Sequence, residues 1–135
     1  MKVVVDTNVI VSGLLSPAGP PGEIVRMIAA GTLQVCYDAR ILSEYRAVLQ
    51  RPRFKIDQQD AEAFLEQLEH QGDVVAAAPL EGKVGDEGDR PFAEVAIAAK
   101  AVFLVTGNIR HFPERRYGGA TVLAPADFIR RLRRF

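Results

Sequence analysis

Residues 1–15 read MKVVVDTNVIVSGLL. A β-branched run, Val3-Val4-Val5, breaks off at Asp6-Thr7-Asn8, and apolar residues resume at Val9, Ile10 and Val11. A valine run without polar alternation suits a strand buried on both faces, as in parallel sheets. The polar triplet then falls at the carboxyl end of that strand, where a helix begins. In open α/β sheets, ligands bind in the crevice outside the carboxyl ends of the strands. Asp6 therefore stands where such a protein would keep a reactive carboxylate. Asp, Thr and Asn also favour helix N-caps, so the local pattern leaves both roles open.

Outward from this stretch, strands and helices alternate. Residues 8–15 read as a short helix, followed by a Pro- and Gly-rich connection over 16–22. A helix over 23–30 is stopped by Gly31, and 33–37 reads as a short strand. Two amphipathic helices follow, over 39–50 with Ile41, Leu42, Tyr45, Val48 and Leu49, and over 57–71 with Ala61, Phe64, Leu65 and Leu68. A short strand over 74–77 leads into a polar loop over 79–88. Residues 91–101 form a helix that is apolar almost all round, hence deeply buried, and 102–105 a buried strand stopping at Thr106-Gly107-Asn108. A loop with Pro113 and Gly118-Gly119 precedes a last strand over 121–123 and a basic helix over 126–134. This alternation predicts an α/β protein with a mainly parallel sheet, helices on both faces and right-handed crossovers.

The 135 residues suit a single domain spanning 1–135, and 48% hydrophobic with 25% charged residues is ordinary for a soluble globular chain. Lys plus Arg and Asp plus Glu both number 17, so no global basic field advertises a nucleic-acid partner. The distribution is polarised. Only Lys83 and Arg90 oppose the acids between Asp57 and Glu94, whereas seven Arg stand against Glu114 and Asp127 between Arg110 and Arg134. Cys36, the only cysteine, excludes an intrachain disulfide and a thiolate metal cluster, and reads as a small buried hydrophobe. Asp6 and Asn8 interrupt any signal-like apolar run, and no stretch approaches the roughly 18 apolar residues of a membrane span. A cytoplasmic protein is expected.

Three further regions could meet Asp6. Glu44 lies at the rim of an apolar helical stripe, where a carboxylate reaches a cleft edge or simply sits in solvent. Asp86 and Asp89 lie in Gly85-Asp86-Glu87-Gly88-Asp89 before the buried helix. An N-cap or a favourable dipole contact explains Asp89 alone. Three in five residues repel one another unless a cation offsets them. Asn108 follows a buried strand as Asp6 does, either as a turn residue or as an amide donor, with Thr106 beside it. Together these are hard oxygen donors with no Cys or His cluster nearby, which suits Mg²⁺ or Mn²⁺ rather than Zn²⁺. Hydrolysis of a phosphodiester is the reaction that fits.

Taken together, VVVDTNVIVSGLLSPAGPP, ILSEYRAVLQRPRF, DEGDRPFAEVAIAAKAVFLVTGN and the following HFP make the chain resemble the PIN-domain family, in its VapC-like toxin–antitoxin branch. The resemblance covers nearly the whole chain. It implies a three-layer α/β/α fold and a Mg²⁺- or Mn²⁺-dependent ribonuclease with a clustered acidic site. Asp6 matches the family's first acid, Glu44 the second and Asp89 the third, with Asp86 a further acid of the same loop. Asn108 falls where many relatives carry a fourth acid; its amide can still coordinate but removes a negative charge. Thr7, Asn8 and Thr106 would orient the ligands, and hydrolysis of single-stranded RNA would leave a 5′-phosphate and a free 3′-hydroxyl. The resemblance also implies an antitoxin protein partner and a homodimer.

Two other readings stay in view. A PIN fold that grips RNA or protein without efficient cleavage is favoured by the amide at Asn108. A phosphotransferase with Asp6 as nucleophile expects a second Asp where Asn8 stands, and a receiver-like domain leaves Glu44 and the acidic loop without a place. The Arg-rich end, including Arg130, Arg131, Arg133 and Arg134, either attracts RNA backbone or is a solvated helix face. His111 could act on a phosphate or serve structure alone.

Overall fold

Val3, Val4 and Val5 are fully buried, although successive side chains of a strand point to opposite faces. Both faces of the sheet are therefore covered, the three-layer arrangement expected of a mainly parallel α/β sheet. The computed structural model describes residues 1–81 and 84–134. Gly82 and Lys83, in the expected polar loop, lie outside the described residues.

In chain order the elements are β1 (Lys2–Val5), α1 (Thr7–Leu15), α2 (Pro20–Ala29), β2 (Gln34–Tyr37), α3 (Ala39–Leu49), α4 (Gln58–Gln71) and β3 (Asp73–Val74). They continue with α5 (Arg90–Ala99), β4 (Phe103–Val105), β5 (Arg116–Tyr117), β6 (Ala120–Leu123) and α6 (Pro125–Leu132). Short 3₁₀ turns cover Pro52–Phe54, Glu87–Asp89 and Ile109–His111. The strands form one sheet in the order β3-β2-β1-β4-β6-β5. All neighbours run parallel except β5, which is antiparallel to β6.

That order fixes where the crevice opens. From β1 the chain builds outward to one side through β2 and β3, then returns to the other side with β4. The reversal makes the carboxyl ends of β1 and β4 a topological switch point. Their register aligns Val5 with Val105, so the residues that follow, Asp6 and Thr106, emerge side by side. The Asp6 amide still donates to Val105 O at 2.8 Å, which carries the ladder to the rim.

The core is continuous across the sheet. Tyr45 of α3 packs edge-on against Phe64 of α4, with ring centroids 5.8 Å apart, and also meets Phe92 of α5. Phe128 of α6 closes on Phe103 of β4 at 5.5 Å. Cys36 is buried in β2, as expected of a small hydrophobe. Among the described residues no helix is long and apolar enough to cross a membrane.

Several elements differ from the sequence expectation, and the strand expected over 74–77 is only Asp73–Val74. Helix α2 starts at Pro20 rather than Glu23, because proline at the first helical positions gives up an amide that has no intrahelical partner. Strand β5 has only two residues, too few to leave an alternating pattern, and turns back at Gly118 with φ 61°. Helix α5 is not buried all round: Ile97 and Ala98 are exposed, while the charged Glu94 is buried. Glu94 is tolerated inside because Arg40 Nη1 donates to it at 2.7 Å and the Leu80 amide donates to its other oxygen at 2.7 Å.

Candidate active site

The site begins with Asp6, a residue only 4% exposed. Asp6 occupies the N-cap position of α1, yet its side chain makes no capping hydrogen bond. The carboxylate instead faces across to β4. Thr106, wholly buried, donates its hydroxyl to Asp6 Oδ2 at 2.7 Å. The same hydroxyl accepts from the Asn108 amide at 3.0 Å, so its proton is directed toward Asp6. Asn8 bridges the two strand ends: Nδ2 donates to Asp6 Oδ2 at 3.4 Å and Oδ1 accepts from the Gly107 amide at 3.0 Å.

Helix α3 brings the second carboxylate. Tyr45 points into the core and donates its hydroxyl to Val5 O, the last carbonyl of β1. That bond ties α3 to the end of β1. Its neighbour Glu44, one residue earlier and so rotated toward the rim, accepts a hydrogen bond from the Thr7 hydroxyl.

The third contribution comes from the turn before α5. Asp86 is the capping residue there, accepting from the Gly88 amide at 2.8 Å. Asp89 sits at the N-cap position of α5 but forms no side-chain cap. Of the two acids, the structural role therefore belongs to Asp86, and the Asp89 carboxylate is directed elsewhere. Its Oδ2 lies 2.7 Å from His111 Nδ1.

These groups share one electrostatic field. Burial is the main reason that the Asp6 carboxyl is pushed up to about 6, and the negative charges of Asp89 and Glu44 push it further in the same direction. The hydrogen bonds from Thr106 and the Thr7 backbone oppose the rise. Asp89 is raised as well, first by burial and then by Asp86, against the pull of His111. The charge of Asp6 is thus disfavoured by burial and by carboxylates from α3 and the α5 turn, a condition that a bound cation relieves.

His111 corrects the sequence reading, which held the donor set to be oxygen only. Among the described residues, ligand atoms of Asp86, Asp89 and His111 all lie within 4.8 Å of one another, a group that holds an imidazole nitrogen and leaves Asp6 and Glu44 outside it. The signal was the His-Phe-Pro following the β4 end, but nothing in the linear pattern showed that its loop folds back onto the acids. The Arg40–Glu94 pair was also missed, since Glu94 is embedded in an otherwise apolar helix.

Asn108 stands apart. Its side chain is exposed and, among the described residues, makes no hydrogen bond; only its backbone amide joins the site. With Gly107 it lines two concavities, one of about 280 Å³ also bordered by Asn8, Ser12 and Pro125, the other of about 480 Å³ also bordered by Arg110 and His111. The Arg-rich helix is largely engaged within the chain. Arg130 pairs with Asp127, Arg133 approaches Glu23 at 3.4 Å, and the Arg131 guanidinium lies over the Phe103 ring.

A sequence model of the PIN domain matches residues 2–110. Among solved structures, the chain is similar to one chain in the crystal structure of VapBC2 from Rickettsia felis bound to a DNA fragment from their promoter. The TM-score is 0.57 at 16% identity, with 92% of this chain and 98% of that chain covered. At that identity the likeness is one of fold. No curated protein matches the sequence.

Proposed function

Because this chain belongs to the PIN-domain family, we propose that it is a divalent-metal-dependent endoribonuclease, one domain over 1–135, that hydrolyses phosphodiester bonds of single-stranded RNA. The observation that carries this reading is the buried Asp6 carboxylate at the switch point of the sheet, held by Thr106, with the Thr7–Glu44 hydrogen bond at the adjacent residue and the charge of Asp89 near enough to be felt. Such a placement has little structural use, since the neighbouring negative charges add to the cost of burying Asp6.

The donor set fits a hard divalent ion, Mg²⁺ or Mn²⁺. Asp6 and Asp89 would hold it, with Glu44 and Asp86 assisting directly or through water. Bound there, the ion lowers the pKa of water and offsets negative charge on a phosphoryl oxygen. The chain's own residues prepare the site. Thr106 and Asn8 fix the Asp6 carboxylate, Thr7 fixes Glu44, and the Asp86 cap shapes the turn that presents Asp89. Asn108 offers an amide at the mouth. Water adds across the P–O bond, leaving a 5′-phosphate on one fragment and a 3′-hydroxyl on the other.

The VapBC2 neighbour supports assigning the chain as the toxin of a type II pair, with an antitoxin protein as partner, and a homodimer is proposed on the same family grounds. The test is cleavage of single-stranded RNA by the purified chain. Cutting should require Mg²⁺ or Mn²⁺ and stop with a chelator or with Asp6→Asn. Metal-independent cleavage by that variant would defeat the proposal.

The exposed amide of Asn108, where a fourth acid would add charge, favours a second reading: a PIN fold that binds RNA or protein without cutting. RNA binding without cleavage across divalent metals would support it.

A further inference from the structure

The Pro- and Gly-rich connection over 16–22 and the arginines of α6 have no part in the acidic centre, yet they meet at one groove. One face of α2, with Glu23 and Arg26, stands opposite one face of α6, with Ala126, Ile129, Arg130 and Arg133. Between them lies an open concavity of about 450 Å³ that begins at Gly19 and Pro20. The chain neighbours Pro21 and Pro125 border the hollow of about 280 Å³ at Asn8 and Asn108. The two hollows thus adjoin along Pro20-Pro21 and Pro125-Ala126, one opening at the acidic centre and the other lined by arginines. The proline wall between them is held in place. A Cβ at Gly22 would lie 2.0 Å from Pro17 O and one at Gly13 2.5 Å from Pro21 O, so the connection packs on α1 and α2 at distances that only glycine allows. Arg26 Nη1 donates to the same Pro17 carbonyl at 2.6 Å.

Arginine in the last turn of a helix complements its dipole, which accounts for Arg26 and Arg130 singly. It does not account for guanidinium groups from two helices lining one concavity, where like charges oppose one another. Glu23 is the one acid of that lining, and its contact with Arg133 is long, at 3.4 Å. Arg130 pairs with Asp127, but both side chains are exposed, and an exposed pair holds its partner weakly enough to exchange it for another anion. Arg26 makes no ion pair among the described residues. Arg131, by contrast, is turned back over the Phe103 ring. A positively lined groove that adjoins a phosphodiester-cutting centre suits a polyanion whose charges recur along a chain. We propose that the α2–α6 groove holds the backbone of single-stranded RNA on one side of the bond to be cut, with Arg26, Arg130 and Arg133 as its phosphate contacts. This inference rests on the ribonuclease reading above and adds the path by which the strand leaves the centre.

Fluorescence anisotropy of labelled single-stranded RNA with the full chain, in chelator so that no strand is cut, reads this grip apart from cleavage. In the combined variant Arg26→Gln, Arg130→Gln, Arg133→Gln, affinity should fall at least about tenfold at low salt. The slope of log affinity against log salt should shrink by about 2, at roughly 0.7 per phosphate contact. Lysine at the same three positions keeps the point charges and should hold the slope within about 0.5 of wild type. Arg51→Gln, Arg53→Gln, Lys55→Gln removes equal charge from residues that line neither hollow and should change the slope by less than about 0.5. A second readout needs no variant: RNA carrying a photoreactive thiouridine should crosslink to peptides of α2 or α6, and labels confined to other elements contradict the path. A wild-type slope in the groove variant, or equal losses in the two glutamine variants, overturns the assignment even if RNA cleavage remains metal-dependent. So does a wild-type chain that cuts RNA with metal but fails to bind it in chelator. Neither binding nor cleavage of RNA by wild type sinks the ribonuclease reading itself and this inference with it.

Discussion

Thr106 and Asp6 stand one hundred residues apart in the chain and 2.7 Å apart in the fold, joined by a hydroxyl–carboxylate hydrogen bond with both residues buried. The bond spans the switch point, from the end of β4 to the end of β1. It both orients Asp6 and offsets part of the cost of burying its charge.

Replacing Thr106 by Val keeps the shape and removes the donor. The Asp6 carboxyl then rises further, because one of the two hydrogen bonds opposing burial is gone. Divalent-ion affinity and RNA cleavage are expected to fall about 10- to 100-fold. Thr106→Ser, which keeps the hydroxyl, should recover most of both. Equal losses in the Val and Ser variants would assign the effect to packing.

Asp6 predicts a conflict between stability and function. Its folded pKa of about 6 lies above the ordinary value of 3.8. In metal-free protein the folded state therefore holds this proton more tightly than the unfolded state. The resulting stabilisation is full below the unfolded value and is lost as pH rises through about 6. At about pH 7.5, Asp6→Asn should be more stable than wild type by up to about 3 kcal/mol. The advantage should shrink as pH falls from about 6 to about 4. Thermal unfolding in chelator across that range checks the sign, and saturating Mn²⁺ should reverse the order, since only wild type gains from the ion.

Gly85 predicts that one methyl group can disable the site at a distance. Gly85→Ala forces the acidic loop away from His111 Cα. Mn²⁺ affinity should drop about tenfold. The turn is exposed, so the unfolding temperature should move little. Wild-type Mn²⁺ affinity in the alanine variant would show that the close approach is dispensable.

The Arg40–Glu94 pair should behave as a coupled unit. Glu94 is buried, and its two oxygens are held by Arg40 and by the Leu80 amide, while Arg90 donates to Leu80 O at 2.9 Å. The chain is thus gripped just before it enters the acidic loop. Arg40→Met leaves a buried carboxylate short of its cation and should cost about 1–3 kcal/mol, less than for a fully buried pair because Arg40 is half exposed. Adding Glu94→Gln should restore part of that loss. Strict additivity in urea unfolding of the four proteins would contradict the coupling.

The parts of this molecule that could be read from sequence are those with a local signature. Val3–Val5 announced a strand buried on both faces, and the stop at Asp6 placed a polar group at its carboxyl end. Ile41, Tyr45 and Leu49 set the face of α3, and with it the rim position of Glu44. Even the cap reading of the acidic turn was right in kind, though it belongs to Asp86 and not to Asp89. What could not be read depends on through-space meetings. The docking of His111 on Asp89 follows from a close approach at Gly85, 26 positions earlier. Glu94 carries no local sign of its partner, because Arg40 lies 54 residues away. Strand β5 owes its existence to the neighbouring β6 and has too few residues to signal itself.

The convergence of Asp6, Glu44 and Asp89 on one divalent ion is tested most directly by a crystal soaked in Mn²⁺ and measured for anomalous scattering. A peak should stand at Asp89 within reach of the Asp6 carboxylate, and it should vanish in Asp6→Asn. Mn²⁺ bound only at sites remote from these carboxylates, or no peak at saturating Mn²⁺, would contradict a metal-dependent nuclease centre here.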